Sequence, residues 1–157
     1  MNRLSYPTTV INAPVDAVWA LLMNPLSWHK IFDIRIQNAL PRGPATPGQI
    51  VRAESGPSWM HLKLSIEIVA VNPAAHRIKM MIQLPLRLVV HEDLDCVPID
   101  PTSCRVNYRC DFAFPSGWRG CAIRLLMSRE LKRGPEDSLR RLKDAAEGEQ
   151  RLLAKKT

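Results

Sequence analysis

The sequence contains none of the short motifs that mark the common catalytic and nucleotide-binding sites. It has no G-x-S-x-G nucleophile motif, no G-x-G-x-x-G dinucleotide motif and no Walker lysine loop. Neither H-x-x-x-H nor H-E-x-x-H occurs, and the four cysteines form no C-x-x-C pair, so we expect no metal and no other cofactor. Acid or base chemistry on a bound ligand is what this leaves open.

Long apolar runs are missing as well. No stretch approaches the roughly 18 consecutive apolar residues of a membrane span, and the opening residues MNRLSYP are not followed by an apolar signal core. We therefore expect no transmembrane segment and a cytoplasmic location. In that compartment the four cysteines (Cys96, Cys104, Cys110 and Cys121) are predicted to be buried free thiols.

What the sequence does have is an ordinary globular composition with an excess of positive charge. Of its 157 residues, 46% are hydrophobic and 24% are charged, with a net charge of +7. This length and mixture predict one domain over residues 1–154, followed by a frayed basic tail at 155–157. Oligomeric state stays open between a monomer and a homodimer.

Most of the positive charge lies in the last quarter of the chain. Residues 117–157 hold eleven Lys/Arg against six Asp/Glu, a net of +5. Because the acids are interspersed with the bases, the pattern favours a solvated helix face, and we expect no nucleic-acid partner. A weak contact of this helix with anionic surfaces is an alternative.

Hydrophobic periodicity gives the order of elements. A strand over 4–12 precedes a helix whose apolar face holds Val15, Val18, Trp19 and Leu22, and a second short helix begins at Pro25. Alternating patterns then predict six strands, and from Gly117 the pattern is helical to about Leu153. The predicted strands lie at residues 33–40, 49–54, 61–68, 77–82, 86–95 and 104–114.

These elements predict an α+β fold. Short turns between consecutive strands predict a curved antiparallel sheet. Only the long last helix is large enough to cover the apolar face of this sheet. Such an arrangement leaves a space that suits a small molecule. We expect a kink or a break in the last helix at Gly134-Pro135, since proline removes a backbone hydrogen bond there.

Three segments resemble one known superfamily. Residues 11–22, INAPVDAVWALL, are similar to the I-x-A-P-x-x-x-V-W opening of START-like, or Bet v 1-like, proteins (SRPBCC). Residues 28–32, WHKIF, resemble the tryptophan-centred second helix, and residues 138–147, SLRRLKDAAE, resemble the closing helix. The likeness covers nearly the whole chain and is greatest to the bacterial polyketide cyclase/dehydrase and lipid-transport branch.

The resemblance implies a helix-grip fold. In this fold a seven-stranded curved antiparallel sheet wraps around a long C-terminal helix, with two short helices between strands 1 and 2 and an apolar cavity inside. Members bind sterols, lipids, polyketides or plant hormones, and some cyclise or dehydrate polyketides. Proteins with this fold include binding proteins, transporters and enzymes, so the fold alone does not indicate which of these functions the chain has.

Three polar residues are candidates for catalysis. Strict alternation puts Glu92 on the face of Leu88 and Val90, where burial would raise the pKa of its carboxyl; a bulge near Val89-Val90 would instead turn it to solvent. Tyr108 either orients a ligand or is tied to a backbone carbonyl. Arg52 enters the cavity only if Ile50, and not Val51, points inward.

The remaining candidates are apolar residues predicted to contact the ligand along with Tyr108. They are Trp28, Ile50, Trp59, Leu64, Ile66, Met80, Leu88, Val90, Phe112 and Leu126.

Three functions remain open at this point. The first is binding or carriage of a hydrophobic small molecule, such as a lipid, a polyketide or an aromatic metabolite. The second is a polyketide cyclase/aromatase or dehydratase, a lyase-type enzyme that would use acid/base residues in the same cavity. The third is an interaction module built on the basic C-terminal helix. An enzyme would need at least two polar groups converging on one point of the cavity, whereas a carrier needs few.

Overall fold

The computed structural model of the protein describes residues 2–56 and 61–156. Within these residues the helices are α1 (Val15–Leu22) and α2 (Trp118–Ala154), with short 3₁₀ helices at Pro25–Lys30 and Pro85–Arg87. The strands are β1 (Asn2–Ser5), β2 (Thr8–Ile11), β3 (Ile34–Leu40), β4 (Ile50–Ser55), β5 (Leu62–Asn72), β6 (Arg77–Gln83), β7 (Val89–Asp100) and β8 (Ser103–Ala113).

All of these strands belong to one antiparallel sheet. The order across the sheet is β1-β8-β7-β6-β5-β4-β3, and β2 also pairs with β8. The first predicted strand, 4–12, is thus two strands that lie along the same neighbour. Pro7 separates them because it has no N–H to donate to the ladder, and its carbonyl instead accepts a hydrogen bond from the Tyr108 amide at 3.0 Å. The result is the predicted seven-stranded curved sheet with the long helix at the C-terminus.

Alternation along the strands decides which side chains are buried. Val51 and Ala53 of β4 and Ile66 and Ile68 of β5 face inward, while the residues between them face outward. From α2, the apolar side chains of Leu131, Leu139, Leu142 and Ala146 join the same buried cluster. Sheet and helix therefore share one core, as the predicted helix-grip fold requires.

The two short helices fill the end of this core. In α1, Val18 and Leu22 are buried, and Val15 and Trp19 are partly buried, which is the predicted apolar face. The 3₁₀ helix begins at Pro25 as predicted, and Trp28 within it is buried.

Of the kink or break predicted in the last helix, the break does not occur. One helix of 37 residues runs through Pro135. The proline removes a backbone hydrogen bond, but the buried side chains of Leu131 and Leu139, one turn before and after it, anchor both halves of the helix to the same core.

Two smaller predictions also need correction. The strand expected from residue 86 begins only at Val89, because Leu86 and Arg87 adopt positive φ angles of 63° and 60° in a tight turn. Cys121 is exposed, whereas the other three cysteines are buried free thiols as expected.

Within the described ranges, we find no helix that combines the length and the apolar character needed to cross a bilayer.

Candidate functional site

A cavity of about 330 Å³ lies between the inner face of the sheet and α2. Its walls are mostly apolar, and strands β3 to β8 and one face of α2 supply them. The apolar lining residues are Phe32, Ile34, Leu64, Ile66, Met80, Ile82, Leu84, Val90, Phe112, Met127, Leu131 and Pro135.

Two polar side chains project into the cavity from neighbouring strands. Glu92 of β7 lies opposite Cys110 of β8, and Tyr108 is two residues further along β8, so the two side chains are diagonal neighbours on one face. The Tyr108 hydroxyl donates a hydrogen bond to the Glu92 carboxylate. The second carboxylate oxygen, Oε2, is buried and finds no partner among the described residues.

Burial changes the acidity of both groups. Glu92 is only 8% exposed, and this desolvation raises the pKa of its carboxyl from 4.5 to about 7, although the hydrogen bond from Tyr108 lowers it somewhat. Burial, followed by the nearby charge of Glu92, holds the pKa of Tyr108 well above its usual range. Near neutral pH, Glu92 can therefore accept or release a proton while Tyr108 stays protonated.

Cys110 also lines the cavity, beside Glu92. Burial, reinforced by the Glu92 charge, raises the pKa of its thiol. A protonated thiol is a poor nucleophile, so this side chain contributes wall surface to the cavity.

The open end of the cavity is rimmed by charge. Asp33 and Arg141 are both solvent-accessible and form a salt bridge of 3.5 Å across it. Asp137, which pairs with Arg140 at 2.8 Å, and Ser138 lie beside them. This mouth offers both charge signs to a polar part of a ligand.

The sequence prediction named one ligand contact from α2, Leu126, and this residue lies on the wrong face of the helix, although a signal for the correct face exists. The lining residues recur along the helix at alternating steps of four and three: Met127, Leu131, Gly134, Ser138 and Arg141. That spacing marks one helix face, but its small and polar members hide it from a purely hydrophobic pattern.

The structure places part of the predicted site around the cavity. Glu92 and Tyr108 lie together inside it, so the inward alternative for Glu92 is the observed one. Six of the predicted ligand contacts line the same space: Leu64, Ile66, Met80, Val90, Tyr108 and Phe112. Trp59 lies outside the described residues.

Arg52 and Ile50 do not reach the cavity. Val51 pairs with Ile66 on the buried face of the sheet, so the side chains on either side of it in β4 point to solvent. The inward option for Arg52 is therefore wrong, and so is a cavity contact for Ile50.

Three other predicted contacts are misplaced. Trp28 is buried in the core, where its indole Nε1 donates to the Leu22 carbonyl at 3.0 Å. Leu88 is buried but is not part of the cavity wall. Leu126 is 83% exposed, because it lies one residue before Met127 and is turned about 100° around the helix from it.

Comparisons with known proteins agree with this architecture. The family model described as "Polyketide cyclase / dehydrase and lipid transport" matches residues 5–147. No curated protein sequence matches the chain significantly.

Among solved structures, similar folds include enzymes from bacteria and plants. The Zhui aromatase/cyclase from Streptomyces sp. R1128 has a TM-score of 0.75 at 16% identity, covering 91% of this chain and 92% of that one. Norcoclaurine synthase from Thalictrum flavum gives 0.68 at 12% identity, with 93% and 94% coverage. The di-domain ARO/CYC BexL from the BE-7585A biosynthetic pathway gives 0.70 at 16%, covering 94% of this chain and 47% of that one. At these identities the likeness shows the fold.

Proposed function

Since the chain belongs to the polyketide cyclase/dehydrase and lipid transport family, we propose that it binds a hydrophobic small molecule in the cavity between the sheet and α2. One observation carries this proposal: a mostly apolar space of about 330 Å³ lies inside the fold, and the buried polar side chains of Glu92 and Tyr108 lie together in its wall.

The size of the cavity limits the ligand. An apolar cavity of roughly 150 Å³ admits benzene, and this cavity is about twice as large. It therefore fits a body of two or three rings, or a folded chain of similar bulk. A hydroxyl on that body would reach Glu92 and donate to its Oε2, which lacks a partner among the described residues. A carbonyl there would accept a hydrogen bond from the carboxyl group when Glu92 is protonated.

Filling the cavity should abolish binding. Ile82 lines it from β6, so Ile82→Trp should weaken binding of the neutral fluorescent probe N-phenylnaphthylamine by at least about tenfold. The matched control is Ile99→Trp, the same change at an exposed position of β7. Fluorescence titration of the folded variants measures both, and equal affinity in all three proteins would place the probe outside the cavity.

The identity of the natural ligand needs a separate experiment. Native mass spectrometry of the protein purified from its own host, followed by organic extraction, should reveal a bound lipid or aromatic metabolite. A cargo that is lost in Ile82→Trp and kept in Ile99→Trp would assign that molecule to this cavity.

A second candidate function, acid/base catalysis, is favoured by the Glu92–Tyr108 pair. Two polar groups converge on one point, which is what an enzyme of this fold needs and a carrier does not. In a cyclase or dehydratase reaction, Glu92 as carboxylate removes a proton from the carbon beside a ligand carbonyl. As a carboxylic acid it then protonates the ligand hydroxyl, which leaves as water. The net reaction is the loss of one water molecule and needs no oxidant. Tyr108 positions the carboxyl group throughout.

Glu92→Gln should lower such a turnover by about a hundredfold, because the amide neither accepts nor releases a proton near neutrality. With a bicyclic β-hydroxy ketone as substrate, loss of water can be followed by absorbance. The wild-type rate should rise with pH through about 7, as the carboxylate forms. Glu136→Gln, an exposed carboxylate of α2, is the control. If Glu92→Gln keeps the wild-type turnover, Glu92 is not the acid/base group of the reaction, and binding is the function that remains for the cavity.

A further inference from the structure

An exposed apolar surface lies on the outer side of α2, away from the cavity. Trp118 is 77% exposed, Leu125 78% and Leu126 83%. Leu86, in the turn before β7, is also exposed and borders a surface groove together with Trp118. We name these four residues the Trp118 face.

The helix period explains why these residues are not part of the core. At about 100° per residue, Trp118, Leu125 and Leu126 fall within an arc of about 100° on α2, whereas Met127 and Leu131 fall on the opposite side. The inward side already packs against the core. The first half of α2 is thus apolar on two faces, and the residues that the structure describes cover only one of them.

Positive charge surrounds the Trp118 face. Arg119, Arg129, Lys132 and Arg133 are exposed on the same stretch of helix, and the Arg119 guanidinium lies 5.8 Å from the centre of the Trp118 ring. In the sequence from 118 to 133 the only acid is Glu130. Arg87 adds another exposed cation next to Leu86.

We propose that the Trp118 face docks on an anionic lipid bilayer surface. Tryptophan and leucine flanked by arginine and lysine are the residues that interfacial helices place at the boundary between headgroups and acyl chains. Each basic side chain near an anionic surface adds attraction that salt screens. This surface is separate from the proposed ligand site and does not depend on it.

Charge argues against a second copy of the chain as the occupant. Two Trp118 faces brought together would place the basic side chains of one copy, Arg129 and Arg133 among them, close to the basic side chains of the other, with hardly any acids on the same stretch to neutralise them. An anionic bilayer supplies the missing negative charge and an apolar layer at the same time.

Docking here would bring the cavity wall to the bilayer. Met127 and Leu131 line the cavity from the segment of α2 whose outer side carries Leu125 and Leu126. If the cavity holds a hydrophobic ligand, which rests on the proposed function, the part of α2 that contacts this ligand would lie beside the membrane.

Vesicle co-sedimentation tests the proposal. The full chain should bind vesicles of equal parts phosphatidylcholine and phosphatidylglycerol, should not bind phosphatidylcholine alone, and should be released as salt is raised. Leu125→Gln with Leu126→Gln should reduce binding by at least about tenfold, since both leucines lose their apolar insertion. Arg129→Gln with Arg133→Gln should reduce it by a similar factor at low salt.

The matched control changes two leucines at the other end of the same helix. Leu152 and Leu153 are also exposed, and they lie roughly 40 Å along the helix from Leu125. Leu152→Gln with Leu153→Gln should leave vesicle binding unchanged.

A second measurement reports on Trp118 itself. Brominated lipids should quench tryptophan fluorescence in the wild type, and Trp118→Phe should remove that quenching.

Several outcomes would overturn the proposal. They are absence of binding to the mixed vesicles, equal binding to neutral vesicles, or equal losses in the control variant. A dimer in solution that Leu125→Gln with Leu126→Gln dissociates would instead make the face an interface between copies. Failure of vesicle binding leaves the cavity experiments untouched, so the two proposals fail separately.

Discussion

The free energy of unfolding should fall by about 3 kcal/mol as the pH rises from about 4.5 to about 7, through Glu92 alone. The buried carboxyl group has a higher pKa in the folded chain than in the unfolded chain. Between these two values the folded state binds more protons, so its stability is greatest at low pH and is lost as the pH rises through the folded pKa.

Comparison with Glu92→Gln isolates this contribution. The amide keeps an acceptor for the Tyr108 hydroxyl but does not ionise. The fall in the free energy of unfolding between pH 4.5 and 7 should therefore be about 3 kcal/mol smaller in this variant than in the wild type. Denaturant unfolding at a series of pH values measures it. Glu136→Gln, at an exposed site, should retain the wild-type dependence. Parallel curves for the wild type and Glu92→Gln would mean that Glu92 is solvated.

Trp28→Ala should lower the free energy of unfolding by about 3–5 kcal/mol, the range for truncating a buried aromatic side chain. Trp28 is 1% exposed, its Nε1 donates to the Leu22 carbonyl at 3.0 Å, and its ring meets Phe32 edge-on at 6.0 Å. The substitution leaves a void and a buried carbonyl without its donor. Urea denaturation measures the change.

Trp118→Ala is the matched control for stability. The same atoms are removed from a side chain that is 77% exposed, so the change should stay within about 0.5 kcal/mol. Trp28→Phe should fall between the two, since it keeps most of the packing and loses the hydrogen bond. A loss below about 1 kcal/mol in Trp28→Ala would show that the site collapses without a void.

Much of the fold could be predicted because its signals are local. Alternation in β5 and β8 and the Pro14 and Pro25 positions at helix starts each depend on a few neighbouring residues. Errors occurred where tertiary packing decides. Pro135 stays inside a helix because residues on both sides are held by the same core, and Leu86 leaves the strand pattern because the chain turns there.

The site was harder to predict because it joins distant segments. Glu92 and Tyr108 share a face by alternation, so the sequence could place both near one another. The register of β4 was left open between two readings: either Ile50 points inward together with Arg52, or Val51 and Ala53 point inward and Arg52 is solvated. Only pairing of Val51 with Ile66 decides it. The Asp33–Arg141 bridge has no local signal at all.

The pairing of the first strands with the last one also sets the order of events during synthesis. Thr8 hydrogen-bonds Asn107, ninety-nine residues later, and the Asn12 amide donates to Glu147, 135 residues later. At about 5–20 residues per second, the N-terminal strands wait roughly 5–20 s for β8 to be made. Such long-range closure slows folding. The nascent chain therefore carries an unpaired strand edge until β8 has left the ribosome, and an unpaired edge is the kind of surface that chaperones protect from aggregation.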